Sequence, residues 1–153
     1  MTLHFLNKQE TQEILESLNN QFGITKIDGI ILRIGQERLF LYQGSLSVDQ
    51  IKELEREVPI ERLGVYFAKI QDGGIRLSIE GTHIFKDQIK KNFFIMDDNQ
   101  LIDWMHGREL LVNSEKKGFL VMKHKNDLLG TGKASAEKIT NFIPKTRRLK
   151  NKS

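Results

Sequence analysis

The sequence has no cysteine, and this absence excludes several kinds of site. None of the 153 residues is Cys and only two are Pro. A chain without cysteine forms no disulfide, offers no thiolate to a metal ion and supplies no Cys nucleophile for covalent catalysis. The four histidines, at positions 4, 83, 106 and 124, follow no metal-binding spacing. We therefore expect no metal site. The sequence also has no glycine-rich strand-to-helix turn that would hold a nucleotide or methyl donor and no recognisable nucleophile turn, so we expect no cofactor and no catalytic residue.

Long hydrophobic runs are missing as well. No apolar run approaches the roughly 18 residues that span a bilayer. The stretch from Met1 to Asn7 has neither the basic start nor the apolar stretch of a signal peptide. We therefore expect no membrane partner and a cytoplasmic location.

Acidic residues are scarce near the C-terminus. No acidic residue follows Glu137, and the segment from Glu115 to Ser153 has eleven basic residues against three acidic ones. Because the whole chain carries a formal charge of only +4, the rest of it is acidic. Such asymmetry favours an acidic polymer as partner, of which nucleic acid is the commonest.

Residue patterns predict helices and hairpins in the first 91 residues. Asn7 with Glu10, and Ser47 with Gln50, have the capping-box spacing that begins helices. The predicted helix from Asn7 ends at Gln21. Two hairpins are also predicted, with strands at residues 29–34 and 38–42 and at residues 63–70 and 75–79. Residues 80–88 read as either a short helix or an irregular link.

The second half is predicted to hold short strands around one helix. That helix begins after Asp97 or Asp98 and ends at Gly107, and Trp104 on its apolar face is interpreted as core. Strands are predicted at residues 93–96, 110–112, 118–123 and 128–134. Gly130-Thr131-Gly132-Lys133 lacks the spacing of a phosphate-binding loop and is interpreted as a strand bend. We place a domain boundary between Lys91 and Asn92.

Several of these segments together resemble the proteins that combine a pre-PUA domain with a PUA domain, where PUA abbreviates pseudouridine synthase and archaeosine transglycosylase. They are residues 63–70, 75–79, 91–95 and 107–112, with the strand pair 118–122 and 127–134 as the most specific piece. The chain looks most like an archaeal form of the nuclear import protein seven family of ribosome-biogenesis factors. Residues 141–148 also resemble the PUA end of archaeal relatives of RNA cytosine methyltransferases.

This resemblance implies an α+β protein with two domains. Residues 1–91 would form an α/β pre-PUA domain with a mainly antiparallel sheet, and residues 92–153 a PUA β pseudobarrel that binds RNA. It implies a non-catalytic protein that binds rRNA or tRNA in ribosome biogenesis or RNA modification, with a protein partner on the first domain. There are two alternatives. The chain is a protein–protein adaptor whose basic tail is incidental, or it is a stand-alone RNA-binding accessory of an RNA methyltransferase. The chain lacks the Cys nucleophile that cytosine methylation needs.

The candidate RNA-binding residues are all basic. Most lie in the basic tail, defined here as residues 141–153, where a solvated, frayed terminus is the alternative. Apolar Phe142, Ile143 and Leu149 interleave with these charges and favour a packed tail. Outside the tail, Arg108 is either an RNA contact or an exposed residue after a helix stop. The other candidates outside the tail form either a binding platform or solubilising charge. The full set is Arg108, Lys123, Lys125, Lys133, Lys145, Arg147, Arg148, Lys150 and Lys152.

Overall fold

The structure is a computed structural model that describes residues 3–58 and 64–150. The first half contains β1 (Leu3–Phe5), α1 (Lys8–Phe22), β2 (Ile30–Ile34), β3 (Arg38–Tyr42), α2 (Val48–Leu54), β4 (Val65–Gln71), β5 (Gly74–Leu77) and α3 (Ile79–Ile84). The second half contains β6 (Phe93–Ile95), α4 (Asp98–Met105), β7 (Gly118–His124), β8 (Asp127–Ala134), β9 (Ile139–Thr140) and a 3-10 helix (Lys145–Arg147). Leu63, the first residue of a predicted strand, lies outside the described residues. Within the described ranges no helix is long and apolar enough to cross a bilayer.

The first sheet joins β1 to β5 in chain order, and each neighbouring pair is antiparallel. The two predicted hairpins of the first half are confirmed as β2–β3 and β4–β5. Asp72 and Gly73 connect β4 to β5 with φ values of 51° and 75°. A two-residue hairpin turn of type I′ requires positive φ at both positions, which Asp-Gly adopts readily.

Helix ends are set by side chains next to the helices, as the sequence predicts. Asn7 and Glu10 form a complete capping box at α1, which ends at Gly23 in the left-handed region. Ser47 and Gln50 form the same arrangement at α2. At α4 the capping residue is Asp97, whose side chain accepts from the backbone N–H of Gln100. These bonds satisfy backbone N–H groups that otherwise lack partners in the first turn of a helix.

The strand predicted at residues 75–79 is too long. β5 ends at Leu77, and Ser78 instead caps α3. The Ser78 hydroxyl accepts from the Gly81 N–H at 3.0 Å and donates to the Tyr66 carbonyl at 2.9 Å. Serine is among the preferred helix-capping residues, and these two bonds outweigh the strand-like alternation around it.

The strand predicted at residues 110–112 is also wrong. Only Leu110 pairs, through an isolated bridge to Ile139, while the side chain of Leu111 is 87% exposed. Ile139 belongs to β9, which has two residues and pairs along its other edge with β8. Such a short partner supports one bridge and no longer ladder.

The second sheet has the order β6-β7-β8-β9. β6 runs parallel to β7, whereas the β7–β8 and β8–β9 pairs are antiparallel. The predicted pair at residues 118–123 and 128–134 is confirmed as β7–β8. Gly130 lies inside β8 with a φ of 79°, so this glycine stretch is a bent strand.

Three clusters of buried apolar residues fill the interior. The largest one combines buried residues of the first half, such as Phe22 and Phe67, with Phe119, Val121 and Leu128 of the second half. The smaller core cluster lies mostly in the second half and includes Trp104, Ile139 and Ile143, together with Ile79 of α3. A third cluster in the first half includes Leu32, Phe40 and Ile51. The fold is therefore α+β, and the largest cluster is built from residues of both sheets. The division at Lys91 and Asn92 stays a prediction.

Candidate nucleic-acid interface

The described part of the basic tail folds back onto the C-terminal end of α4. Ile143 is buried at 3% exposure in the smaller core cluster. The Leu149 N–H donates to the Met105 carbonyl at 2.8 Å. The Asn141 side chain donates to the carbonyls of Trp104 and Arg108 at 2.8 and 3.0 Å. These contacts hold residues 141–149 against the helix end, so this stretch is not a free terminus.

Arg148 lies directly against Gly107. Its Nε donates to the Ile143 carbonyl at 2.8 Å. A Cβ atom at Gly107 would come within 2.2 Å of that Nε, and Gly107 has a φ of 83°. Glycine is required here both by the backbone conformation and by the close approach of Arg148. The arginine is thus fixed beside the carboxyl end of a helix, which attracts cations.

Four cations of the second half are paired with carboxylates. Arg108 contacts Asp103 at 2.8 Å and Lys138 contacts Glu109 at 2.7 Å. Lys133 contacts Asp72 at 2.6 Å, and Arg147 pairs with Glu80 of α3. By contrast, within residues 3–58 and 64–150 no carboxylate forms a salt bridge with Lys145, Arg148 or Lys150. The charges of these three tail residues are therefore not neutralised by a salt bridge within the described part of the chain.

The predicted site residues do not form a single cluster. Arg108 and Arg148 flank Gly107 at the end of α4, whereas Lys123 and Lys125 lie at the turn end of the β7–β8 hairpin. Lys133 is opposite Phe119, roughly 17 Å along the strand from that turn. Lys152 lies outside the described residues.

The two lysines at the hairpin turn have local contacts. Lys123 places its amino group 5.1 Å from the centre of the Phe93 ring, within the range of a cation–π interaction. Lys125 occupies the turn with a φ of 53° and adds its charge to the surroundings of Asp98. Their roles as RNA contacts stay predictions.

Asp98 connects this turn to the start of α4. Its carboxylate is 2.8 Å from His124 Nε2. That hydrogen bond, with the positive charge of Lys125 as a second cause, holds the pKa of Asp98 below its usual 3.8. The carboxylate therefore stabilises the folded state at pH values above 3.8, and this contribution is lost as the pH falls through the folded-state pKa.

An Asp98→Asn variant is expected to unfold more easily than the parent at neutral pH. The difference should vanish in acid, because the parent carboxyl is then protonated as well. Urea denaturation over a pH series checks this. Asp28→Asn is the control, since Asp28 pairs only with exposed Lys26 at 3.4 Å. A difference that persists unchanged below the folded-state pKa contradicts the expectation.

Trp104 is confirmed as a core residue. Its side chain is fully buried, and its Nε1 donates to the Leu129 carbonyl at 2.9 Å. A Cβ at Gly132 would lie 2.7 Å from the Trp104 ring, so the ring packs on the backbone of β8. It therefore has no face open to a nucleobase.

Sequence reasoning missed Asn141 and Glu80. Asn141 also accepts from the Ile143 N–H at 2.8 Å, which is the local turn that Asn side chains form with the backbone two residues on. That tendency was the available signal for Asn141. Glu80 lies 67 residues from Arg147, and no local pattern indicates such a pair.

The comparison with protein families identifies the class of domain. Residues 91–149 match the family described as the methyltransferase RsmF PUA domain. This range covers α4, the second sheet and nearly all the described tail. The match therefore shows a PUA domain of the RsmF type, and it includes no methyltransferase domain.

Two curated proteins are similar to this chain. The ribosomal RNA small subunit methyltransferase F of Psychromonas ingrahamii is 28% identical over 144 residues, covering 90% of this chain and 29% of that protein. The translation machinery-associated protein 64 of Saccharomyces cerevisiae is 25% identical over 143 residues, covering 84% of this chain and 25% of that protein. The chain thus spans less than a third of either relative, while both similarities extend well before residue 91.

Proposed function

We propose that this chain binds rRNA or tRNA without catalysing a reaction, and that it acts in ribosome biogenesis or RNA modification. The observation that carries this proposal lies at the C-terminal end of the PUA domain. There a packed basic segment presents Lys145, Arg148 and Lys150 without carboxylate partners among the described residues. A fixed cation has less conformational freedom to lose on binding than a cation on a frayed terminus.

Phosphate is the group that these side chains would recognise. The planar guanidinium of Arg148 offers several N–H donors in a geometry that matches phosphate oxygens. Lysine amino groups add charge with less directional demand. Each phosphate that is neutralised releases condensed counterions, and this release drives association. The tail would thus supply affinity, and the PUA surface beside α4 would orient the RNA.

The similar proteins support a role in translation. One is named a ribosomal RNA small subunit methyltransferase and the other a translation machinery-associated protein. Within this proposal, residues 1–91 form the pre-PUA part and residues 92–153 the PUA part, and the family match from residue 91 supports that boundary. The first part would bind a protein partner, as the likeness to the nuclear import protein seven family implies.

Two alternative functions overlap with this proposal. A stand-alone accessory of an RNA methyltransferase is favoured by the similarity to the Psychromonas ingrahamii enzyme. A protein–protein adaptor is favoured by apolar side chains on the surface of the second half, since Ile95 is 71% and Leu111 87% exposed.

Titration of bulk tRNA into the protein over a salt series tests the proposal. The logarithm of the association constant should fall linearly with the logarithm of salt concentration. The slope should be about −2 or more negative, since three single-strand phosphate contacts contribute roughly −0.7 each. Folded protein that shows no binding, or binding with a slope near zero, contradicts an RNA-binding function. The adaptor would be favoured if tRNA binding is absent and protein partners are still captured from a lysate after ribonuclease treatment.

A further inference from the structure

A polar groove lies where the two halves of the chain meet, and we infer that it holds phosphates of the RNA backbone as a second contact beside the tail. This inference rests on the proposed RNA-binding function. The junction groove has a volume of about 360 Å³. The lining residues used below are Asn20, Asp72, Gly73, Lys117, Gly118 and Lys133.

The groove is open to a polymer chain. Gly73 and Gly118 line it with positive φ values of 75° and 85°, and a Cβ at either position would meet no atom within 4 Å. Its wall is fixed, because the Gln21 side chain exchanges two hydrogen bonds with the backbone of Ile75, at 2.8 and 3.0 Å. The amide of Asn20 adds polar atoms to that wall. The groove therefore leaves space beside Gly73 and Gly118 that no side chain fills.

Two lysines line this groove, Lys117 and Lys133. Lys117 lines it directly, and among the described residues no carboxylate pairs with Lys117. Lys116 is exposed and donates to the Phe93 carbonyl at 3.2 Å. Exposed Lys90 and Lys91 lead into Asn92, whose carbonyl accepts from the Val121 N–H at 2.7 Å. Asn92 and Lys117 both line the groove, so exposed Lys91 and Lys116 are sequence neighbours of lining residues.

One carboxylate inside the groove opposes this positive charge. Asp72 contacts Lys133 at 2.6 Å, and the hydrogen bond from Lys133 holds the pKa of Asp72 below its usual 3.8. Asp72 is therefore ionised at neutral pH and occupies the amino group that a phosphate would contact. An RNA phosphate in the groove must compete with Asp72 for Lys133.

RNA is the occupant that fits both this charge and the neighbouring surface. The groove adjoins the tail, because Phe119 in its wall packs against Phe142 with ring centres 6.4 Å apart. Arg76 lies over the same Phe142 ring at 4.3 Å, adding a cation at this contact. A strand bound at the tail can continue into the groove, and sequence-independent lysine contacts suit its phosphates.

Asp72→Asn tests the competition directly. Asparagine adopts the positive φ of this hairpin turn as readily as aspartate, so the turn is preserved. Freeing Lys133 should tighten the binding of bulk tRNA at low salt by roughly two- to fivefold, the scale of one exposed ion pair. Asp28→Asn removes one carboxylate from another exposed ion pair and should leave the affinity within error of the parent.

A second variant removes Lys117, which lines the groove, and its exposed neighbour Lys116. Lys116→Gln with Lys117→Gln should weaken tRNA binding and flatten the salt slope by roughly 0.7 for each phosphate that is no longer bound. Lys8→Gln with Lys26→Gln is the control of equal charge, since both lysines are exposed in the first half. Thermal melting confirms that each variant is folded.

The outcomes separate this inference from the proposed function. If both groove variants bind like their controls while a variant of Lys145, Arg148 and Lys150 binds more weakly, the groove is not a contact and the proposed function stands. If wild-type protein does not bind tRNA, both fail. Weaker binding by Asp72→Asn overturns the competition between Asp72 and phosphate.

Discussion

Replacing Trp104 with alanine is expected to lower the free energy of unfolding by about 3–5 kcal/mol, as for other large buried aromatic side chains. Trp104 is fully buried in the smaller core cluster. Its removal leaves a cavity against Gly132 and an unpaired Leu129 carbonyl. Because the tail is hydrogen-bonded to the Trp104 backbone through Asn141, the tail should also become less ordered. Urea denaturation followed by circular dichroism measures the change.

Two variants on the same helix calibrate that result. Ile102→Ala should change stability by less than about 0.5 kcal/mol, because Ile102 is 51% exposed. The loss of stability in Trp104→Phe should lie between those of Trp104→Ala and Ile102→Ala. Phenylalanine keeps an aromatic ring, and it loses the N–H donor and only part of the volume. An alanine variant at Trp104 as stable as Ile102→Ala would show that this cluster is not organised around the tryptophan.

The second large effect concerns RNA affinity. Changing Lys145, Arg148 and Lys150 together to glutamine should weaken tRNA binding at low salt by roughly 10- to 100-fold and flatten the salt slope by about two. These are the tail cations that no carboxylate among the described residues occupies. Arg147 is left in place, because it pairs with Glu80 and joins the tail to α3. Fluorescence anisotropy with labelled tRNA over a salt series gives both quantities.

A variant with Lys8, Lys26 and Lys52 changed to glutamine is the matched control. It loses the same charge from exposed positions in the first half and should retain most of the affinity. Equal losses of affinity in the two variants would mean that net charge alone drives binding. An unchanged affinity in the tail variant, with its fold confirmed by circular dichroism, would remove the tail from the interface.

Much of the fold could be predicted because its signals are local. Asn7 with Glu10 and Ser47 with Gln50 set helix starts through bonds spanning three residues. Asp72 and Gly73 set a hairpin by their own backbone preferences. The failures at Ser78 and at residues 110–112 arose from tertiary partners instead. Ser78 bonds to Tyr66 on another strand, and Leu110 has only the two-residue β9 beside it.

The residues of the candidate site could be predicted from the sequence, but which of their charges lack a carboxylate partner could not. The basic tail and Arg108 stand out in the sequence. Interleaved Phe142 and Ile143 correctly indicated packing, whereas the Leu149 residue is 54% exposed. Which cations are free depends on partners distant in sequence, such as Asp72 for Lys133. The contact of Arg148 with Gly107 likewise brings together residues that no local pattern connects.

Ultraviolet crosslinking gives the clearest test of whether RNA binds at the packed basic tail. Native rRNA and tRNA would be crosslinked to the protein, and the crosslinked peptides mapped by mass spectrometry. We expect crosslinks within residues 107–150, concentrated at residues 145–150 and, if the groove is used, at residues 116–118. Crosslinks confined to residues 3–58, or no crosslinked RNA at all, would contradict RNA binding at the tail.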